Sequence, residues 1–223
     1  MALFSSLFKR NTLFFPGCVG KCLLKDVANS YIKVLDKIKL NYVILKEEEV
    51  CCGGPALNAG YKQVFEDLRT KNITLFKKHK VSTIITPDPG CYTFLKEFYP
   101  EFTVEHISEV LLRYLEFLPM KHGEKITYFD PCYLANHSHI AEEPLNLLHA
   151  LGYEVVTLDE QNLCCGASGN LKANLPLVAN KMARNVLLRC KTPKLITSCA
   201  MCYLHLKSNS QQVEVLELSQ VLL

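Results

Sequence analysis

No apolar run in this chain approaches the roughly 18 residues that a membrane-spanning helix needs, so no transmembrane segment is expected. An export signal is missing too: the opening "MALFSSLFKR" is too short and too abruptly charged. No strand-to-helix turn carries GxGxxG. Neither "PGCVGKC" nor "CCGGPALNAG" supplies it, so any nicotinamide or flavin is expected on another chain. An excess of one charge is also lacking. The net charge of +3 over 223 residues is too near balance to argue for nucleic acid. The scattered lysines (Lys37, Lys39, Lys46, Lys62, Lys71, Lys77 and Lys78) read as solvated helix faces. With 49% hydrophobic and 21% charged residues, the composition fits a cytoplasmic globular protein with ample core. Leu3, Phe4, Leu7 and Phe8 sit at helical spacing, so the first segment reads as a cover for the core edge, with peripheral contact to a membrane or a partner as the alternative.

What the chain has in abundance is cysteine: Cys18, Cys22, Cys51, Cys52, Cys91, Cys132, Cys164, Cys165, Cys190, Cys199 and Cys202. A disulfide framework fits poorly, because the number is odd, no export signal is seen and a chain of this length folds without staples. Two of the pairs are vicinal. Adjacent Cα atoms are only about 3.8 Å apart, short of the usual disulfide separation, so bridging within a pair is strained. Reduced thiols gathered in this way point to metal or redox chemistry.

The cysteines recur with the chain itself. "EEEVCCGGPALNAGY" returns as "DEQNLCCGASGNLKA", "LFFPGCVGKC" as "ITYFDPCYLAN", "VSTIITPDPGCYTFLKEF" as "PKLITSCAMCYLHLKSN", and "VEHISEVLL" as "VEVLELSQVLL". Cys18 to Cys51 spans 33 positions and Cys132 to Cys164 spans 32; Cys51 to Cys91 spans 40 and Cys164 to Cys202 spans 38. A duplicated module accounts for this regularity. Each copy alternates short β-branched runs ("LFF", "YVIL", "TIIT"; "ITYF", "EVVTL", "LIT") with stretches of helical periodicity ("KDVANSYIKVLDKI", "GYKQVFEDLRTKNITLFKKH", "NLPLVANKMARNVLLRC"). Strand–helix alternation predicts parallel sheets. The expected fold is α/β, with two tandem similar lobes over residues 12–116 and 125–223, joined around "FLPMKHGEK". Cys18, Cys51–Cys52 and Cys91, and likewise Cys132, Cys164–Cys165 and Cys199–Cys202, each follow an expected strand. They would therefore meet at the carboxyl ends of the strands, where such sheets bind ligands. Gly53, Gly54, Gly166 and Gly169 would let backbone approach a bulky group.

In the second half one Cys, a gap of 31 residues, CC, a gap of 33 residues and CxxC follow one another. Doubled over Leu13 to Leu223, this pattern resembles the CCG or cysteine-rich domain proteins. They include a subunit of heterodisulfide reductase, the iron–sulfur subunits of glycolate and anaerobic glycerol-3-phosphate oxidases, and the stand-alone lactate-utilisation subunit. "CCGGPALNAGY" and "LELSQVLL" look closest to the lactate and glycolate branch, and, as in the lactate-utilisation subunit, no ferredoxin-like module is expected in front. The resemblance implies that Cys132, Cys164, Cys165, Cys199 and Cys202 hold an iron–sulfur cluster, a noncubane [4Fe–4S] cluster as in heterodisulfide reductase, or an ordinary cluster or zinc as in other branches. The first half departs from the pattern. Asp88 stands where Cys199 would fall, which leaves Cys18, Cys51, Cys52 and Cys91. Four thiolates suffice for a conventional [4Fe–4S] cluster or a tetrahedral zinc site.

Other side chains carry weaker signals. Cys22 lies one helical turn after Cys18 and reads as a buried small hydrophobe, or else as a further donor on the rim. Asp88 reads as the start of the Pro-Gly turn, with an oxygen ligand as the alternative, and Cys190 reads as core. His137 and His139 read as loop residues, with a proton relay as the alternative; His205 would face the site from a helix, and His106 is structural. The expected function is an iron–sulfur redox subunit of a complex. It would pass electrons between a flavoprotein of the 2-hydroxy-acid oxidase type, or other iron–sulfur subunits, and a ferredoxin, quinone or thiol acceptor. The alternatives are a heterodisulfide reductase-type catalytic subunit and a zinc-stabilised interaction module.

Overall fold

The structure is a computed structural model and describes residues 10–46, 48–138, 140–158, 160 and 163–223. Among the described residues, seven strands fall into two parallel sheets. In the first half β1 (Asn11–Phe14), β2 (Val81–Thr86) and β3 (Thr103–His106) lie in the order β1-β2-β3. In the second, β4 (Lys125–Phe129), β5 (Glu154–Thr157), β6 (Lys194–Thr197) and β7 (Glu214–Glu217) lie in the order β5-β4-β6-β7. The "YVIL" stretch is the difference between them. It makes a single bridge, Leu13 to Val43, where the second half has all of β5. Left-handed backbone at Lys39 (φ 56°) and Lys46 (φ 46°) brackets that stretch.

The helices expected from periodicity form close to their expected bounds. The amphipathic α2 (Lys25–Lys37) follows the short α1 (Gly17–Cys22) and buries Val27, Tyr31, Val34 and Leu35, at spacings of three and four. After α3 (Gly54–Asn58), α4 (Lys62–Lys78) leads into β2, and α5 (Pro89–Phe98) leads out of it. The first half closes on α6 (Ile107–Leu111). In the second half α7 (Glu142–Ala150), α8 (Leu171–Asn174), α9 (Pro176–Leu188) and α10 (Ala200–Asn209) play the matching parts.

The duplication extends to the caps, though with different chemistry. His106 caps α6 through its ring, accepting from Ser108 N–H, while the Glu109 side chain accepts from His106 N–H. At the same place in the second half Glu217 accepts from Ser219 N–H, and the Gln220 side chain accepts from Glu217 N–H. Both are reciprocal caps of the capping-box kind.

The two halves also share core. Tyr31, Val34 and Leu35 of α2 belong to one buried cluster with Ile126, Leu195 and Leu218. Leu134 and Ile140, from the second half, fill the other cluster beside Phe76, Tyr92 and Tyr99. Each such side chain, fully withdrawn from water, contributes roughly 1.5–3 kcal/mol, so the strand ends of both sheets are held against one another. Among the described residues no helix is long and apolar enough to cross a membrane.

Candidate metal centre

The first-half thiols are placed by backbone that only small residues permit. After β1 the chain turns at Gly17 (φ +73°) and presents Cys18 on the first turn of α1; a Cβ on Gly17 would lie 3.0 Å from Cys91 Sγ. Cys51 and Cys52 precede a left-handed Gly53 (φ 90°) that opens α3, and Gly53 N–H points at Cys51 Sγ over 3.5 Å. Their backbone is clamped by Asn72, a buried side chain of α4. Its Oδ1 accepts from Val50 N–H at 3.1 Å, and its Nδ2 donates to Val50 O at 3.2 Å and to Cys51 O at 3.0 Å. Tyr99 Oη donates to Cys52 O at 3.1 Å. Cys91 stands on the first turn of α5, behind the cap Asp88.

The second half repeats the construction. Cys132 follows β4 and leads into a wide turn over Tyr133–His137 with π-helical bonding, a feature often met at functional sites. Gly166 N–H points at Cys164 Sγ over 3.4 Å, as Gly53 does at Cys51. Cys199 caps α10, its sulfur accepting from Cys202 N–H at 3.4 Å, and Cys165 Sγ lies 3.2 Å from Cys202 Sγ.

Crowding makes these thiols share protons. Hydrogen bonds from Cys18 and Cys52, helped by Gly53 N–H, pull Cys51 down to about 3, and the same bond with burial pushes Cys18 up. In the second half a bond from Cys132 lowers Cys164 to about 6 and raises Cys132. Cys165 is lowered by Cys202, which rises in turn. Each group thus holds thiolate beside protons that a multivalent cation would displace, the state metal binding requires. Asp130, two residues before Cys132, is half-buried: its Oδ1 has no hydrogen-bond partner among the described residues, and burial pushes the group up to about 6.

One cavity of about 440 Å³ receives both sets. Cys18, Cys51, Cys52 and Cys91 line it from the first half, and Cys132, Cys164, Cys165, Cys199 and Cys202 from the second. Cys18 and Cys164 are exposed at the opening, whereas Cys52, Cys91, Cys165, Cys199 and Cys202 are buried. The walls between them are Val19, Phe94, Tyr133 and Met201. Among the described residues no three donors converge closely enough to hold a single ion. All eleven cysteines are free thiols. A donor set of soft sulfurs ringing a space, with backbone amides aimed at them, suits an iron–sulfur cluster.

Several side chains lie elsewhere than the sequence implies. Cys22 is exposed and off the cavity, not buried. Cys190, by contrast, packs half-buried against the core as expected and donates to Thr192 O. His205 does not face the thiols; it is buried against α9, with Nε2 at 3.1 Å from Ala179 O and Nδ1 unpartnered among the described residues. His137 stacks on Tyr133, with ring centroids 4.8 Å apart, while His139 lies outside the described residues. Asp88 caps α5 and also lines the cavity. The sequence did not single out Tyr133, Phe94 or Asn72. Tyr133 accepts from Asn58 Nδ2 at 2.8 Å, which ties the two halves across the rim. Its signal was its place beside Cys132.

Comparison with known proteins gives the same outline. An uncharacterised iron–sulfur protein of Methanocaldococcus jannaschii is 33% identical over 208 residues, which is 90% of this chain and 42% of that protein. One subunit of the CoM/CoB fumarate reductase of Methanothermobacter marburgensis is 31% identical over 208 residues, covering 89% of this chain and 42% of that one. One subunit of the dihydromethanophenazine:CoB–CoM heterodisulfide reductase of Methanosarcina acetivorans is 29% identical over 195 residues, covering 79% and 48%. The chain therefore spans less than half the length of these relatives. Among solved structures, glutamate racemase RacE1 of Bacillus anthracis aligns over 96% of this chain and 79% of its own, at 12% identity and a TM-score of 0.43, a likeness that says nothing of activity. The cysteine-rich domain family matches twice, over residues 12–96 and 126–207, each match holding one complete set of the thiols that line the cavity. The chain belongs to the CCG cysteine-rich domain family.

Proposed function

We propose that this chain is an iron–sulfur redox subunit that works within a larger complex. The observation that carries this reading is the convergence of all nine candidate thiols, from two copies of one module, on a single cavity. The relatives support it, since they are named as iron–sulfur proteins or as subunits of reductases. In this reading Cys132, Cys164, Cys165, Cys199 and Cys202 hold one cluster, and Cys18, Cys51, Cys52 and Cys91 hold a different centre, a conventional [4Fe–4S] cluster or zinc. A bound cluster supplies one-electron transfer at a potential set by its ligands, their hydrogen bonds and burial. The protein's part is to supply thiolates, aim Gly53 and Gly166 N–H groups at them, and keep water from the buried sulfurs. Electrons would come from a flavoprotein or another iron–sulfur subunit and leave to a ferredoxin, quinone or thiol. The lobes would divide as residues 12–116 and 125–223.

A second reading is a heterodisulfide reductase-type role, with the second-half site cleaving a disulfide. It is favoured by the complete five-thiol set opening onto a cavity with room beside it. A zinc-stabilised module is the third, and iron content separates it at once. The test is anaerobic purification with iron, sulfide and zinc measured per chain, followed by EPR. Cys164→Ser or Cys165→Ser should remove the second-half iron and its signal. Stoichiometric zinc without iron after anaerobic reconstitution would end the proposal.

A further inference from the structure

Resting on the redox-subunit reading above, we infer that Asp88 is an oxygen ligand of the first-half centre, standing where the second half has Cys199. The two segments match in every local respect. Each follows a strand, β2 or β6, by two residues, and each has extended backbone, with φ −95° and ψ 118° at Asp88 against φ −145° and ψ 118° at Cys199. Each caps a helix of ten residues with its side chain: Asp88 Oδ1 accepts from Cys91 N–H at 2.8 Å, and Cys199 Sγ accepts from Cys202 N–H at 3.4 Å. Both line the common cavity. Capping and ligation are compatible, because an ionised carboxylate has about four lone-pair sites and the cap uses one.

The surroundings of Asp88 are sulfur-rich. Asp88 and the Cys91 sulfur flank the same spot beside Cys18, since a Cβ on Gly17 would lie 3.7 Å from Asp88 Cβ and 3.0 Å from Cys91 Sγ. Asp88 sets a carboxyl group among four thiols in a half-buried place. Capping alone gives no reason for it, since Ser, Thr or Asn caps a helix about as well. A multivalent cation in the cavity would displace the thiol protons and use the carboxylate as a fifth donor. The metal position that Asp88 serves would then have a hard oxygen ligand among soft sulfurs.

The test is Mössbauer spectroscopy of the whole chain, reconstituted anaerobically with ⁵⁷Fe, together with iron counted per chain. Asp88→Asn keeps the shape and the cap but drops the anionic oxygen; Asp88→Cys restores the pattern of the second half. In the unaltered chain one iron signal should stand apart from the thiolate-bound irons. That signal should vanish in Asp88→Asn, with loss of about one iron per chain and the second-half signal kept. In Asp88→Cys it should move into the thiolate range. An Asp88→Asn chain with unchanged iron and spectrum overturns the assignment and leaves Asp88 a cap only. If instead Cys51→Ser leaves the iron per chain unchanged, the first half holds no iron–sulfur cluster and the assignment falls, while the underlying reading, which allows zinc there, fails only if the second half holds no iron either. Should Asp88→Asn not fold, an Asp88→Cys spectrum identical to that of the unaltered chain overturns the assignment equally.

Discussion

At Gly17 the chain leaves β1 with φ +73°, and any side chain there would meet Cys91 Sγ at 3.0 Å. Gly17→Ala therefore combines a left-handed alanine, costing about 1–2 kcal/mol, with a methyl group driven into the Cys91 sulfur. We expect a lower melting temperature and loss of the first-half iron, with the second-half EPR signal retained. Equal loss from both halves would show that Gly17 acts through the fold and not through Cys91. Single residues are legible in the sequence when they sit in the repeat. The nine thiols follow from spacing alone, because recurrence at strand ends leaves few other places for them. Cys22 departs from its expected place because i to i+4 on a helix shares a face but moves about 6 Å along the axis. On the six-residue α1 that displacement carries it past the rim into solvent.

Elements are legible where periodicity is strong and obscure where function lies between elements. Apolar spacing predicts α2, α4 and α9, and their bounds fall within the predicted stretches. Asn72 looks, in sequence, like any polar residue on a solvated helix; its partners lie 21 and 22 residues back, and no local pattern announces them. It joins α4 to the loop that carries both vicinal thiols. Asn72→Leu would leave Val50 N–H, Val50 O and Cys51 O without this partner, at about 1–3 kcal/mol for each group left unpaired. The expected result is a urea midpoint shifted down and a first-half site that loses iron faster to a chelator than the second. Unchanged chelation kinetics would mean that Tyr99, through Cys52 O, is enough to hold the loop.

At the scale of the molecule the two halves are clasped by one buried acid. Glu217, at the end of β7, accepts from Tyr31 Oη of α2 at 2.7 Å and from Ser219 N–H at 2.8 Å, across the boundary of the repeat. Its counterpart His106 stays within its own half, beside Pro87 O. Burial pushes Glu217 from 4.5 up to about 7, against the pull of its donors Ser219 and Tyr31, and the charge of Asp88 adds to the rise. The sign follows from proton counting. Between about pH 4.5 and 7 the unfolded chain has released this proton while the folded chain keeps it, so stability falls as pH rises through that window and levels off above it. For this one group the fall is on the order of 3 kcal/mol. Glu49, also raised to about 7 by burial, contributes in the same direction, so the difference between chains isolates Glu217. Glu217→Gln should flatten the pH dependence of the urea midpoint of the metal-free, reduced chain between pH 5 and 8. Tyr31→Phe removes a donor that favours the carboxylate, so it should extend the fall to higher pH and lower stability most at pH 8. A Glu217→Gln chain with the slope of the unaltered protein would place the titration elsewhere. It would also mean that the halves are held by the shared core of α2 and the strands of the second sheet, with no electrostatic clasp between them.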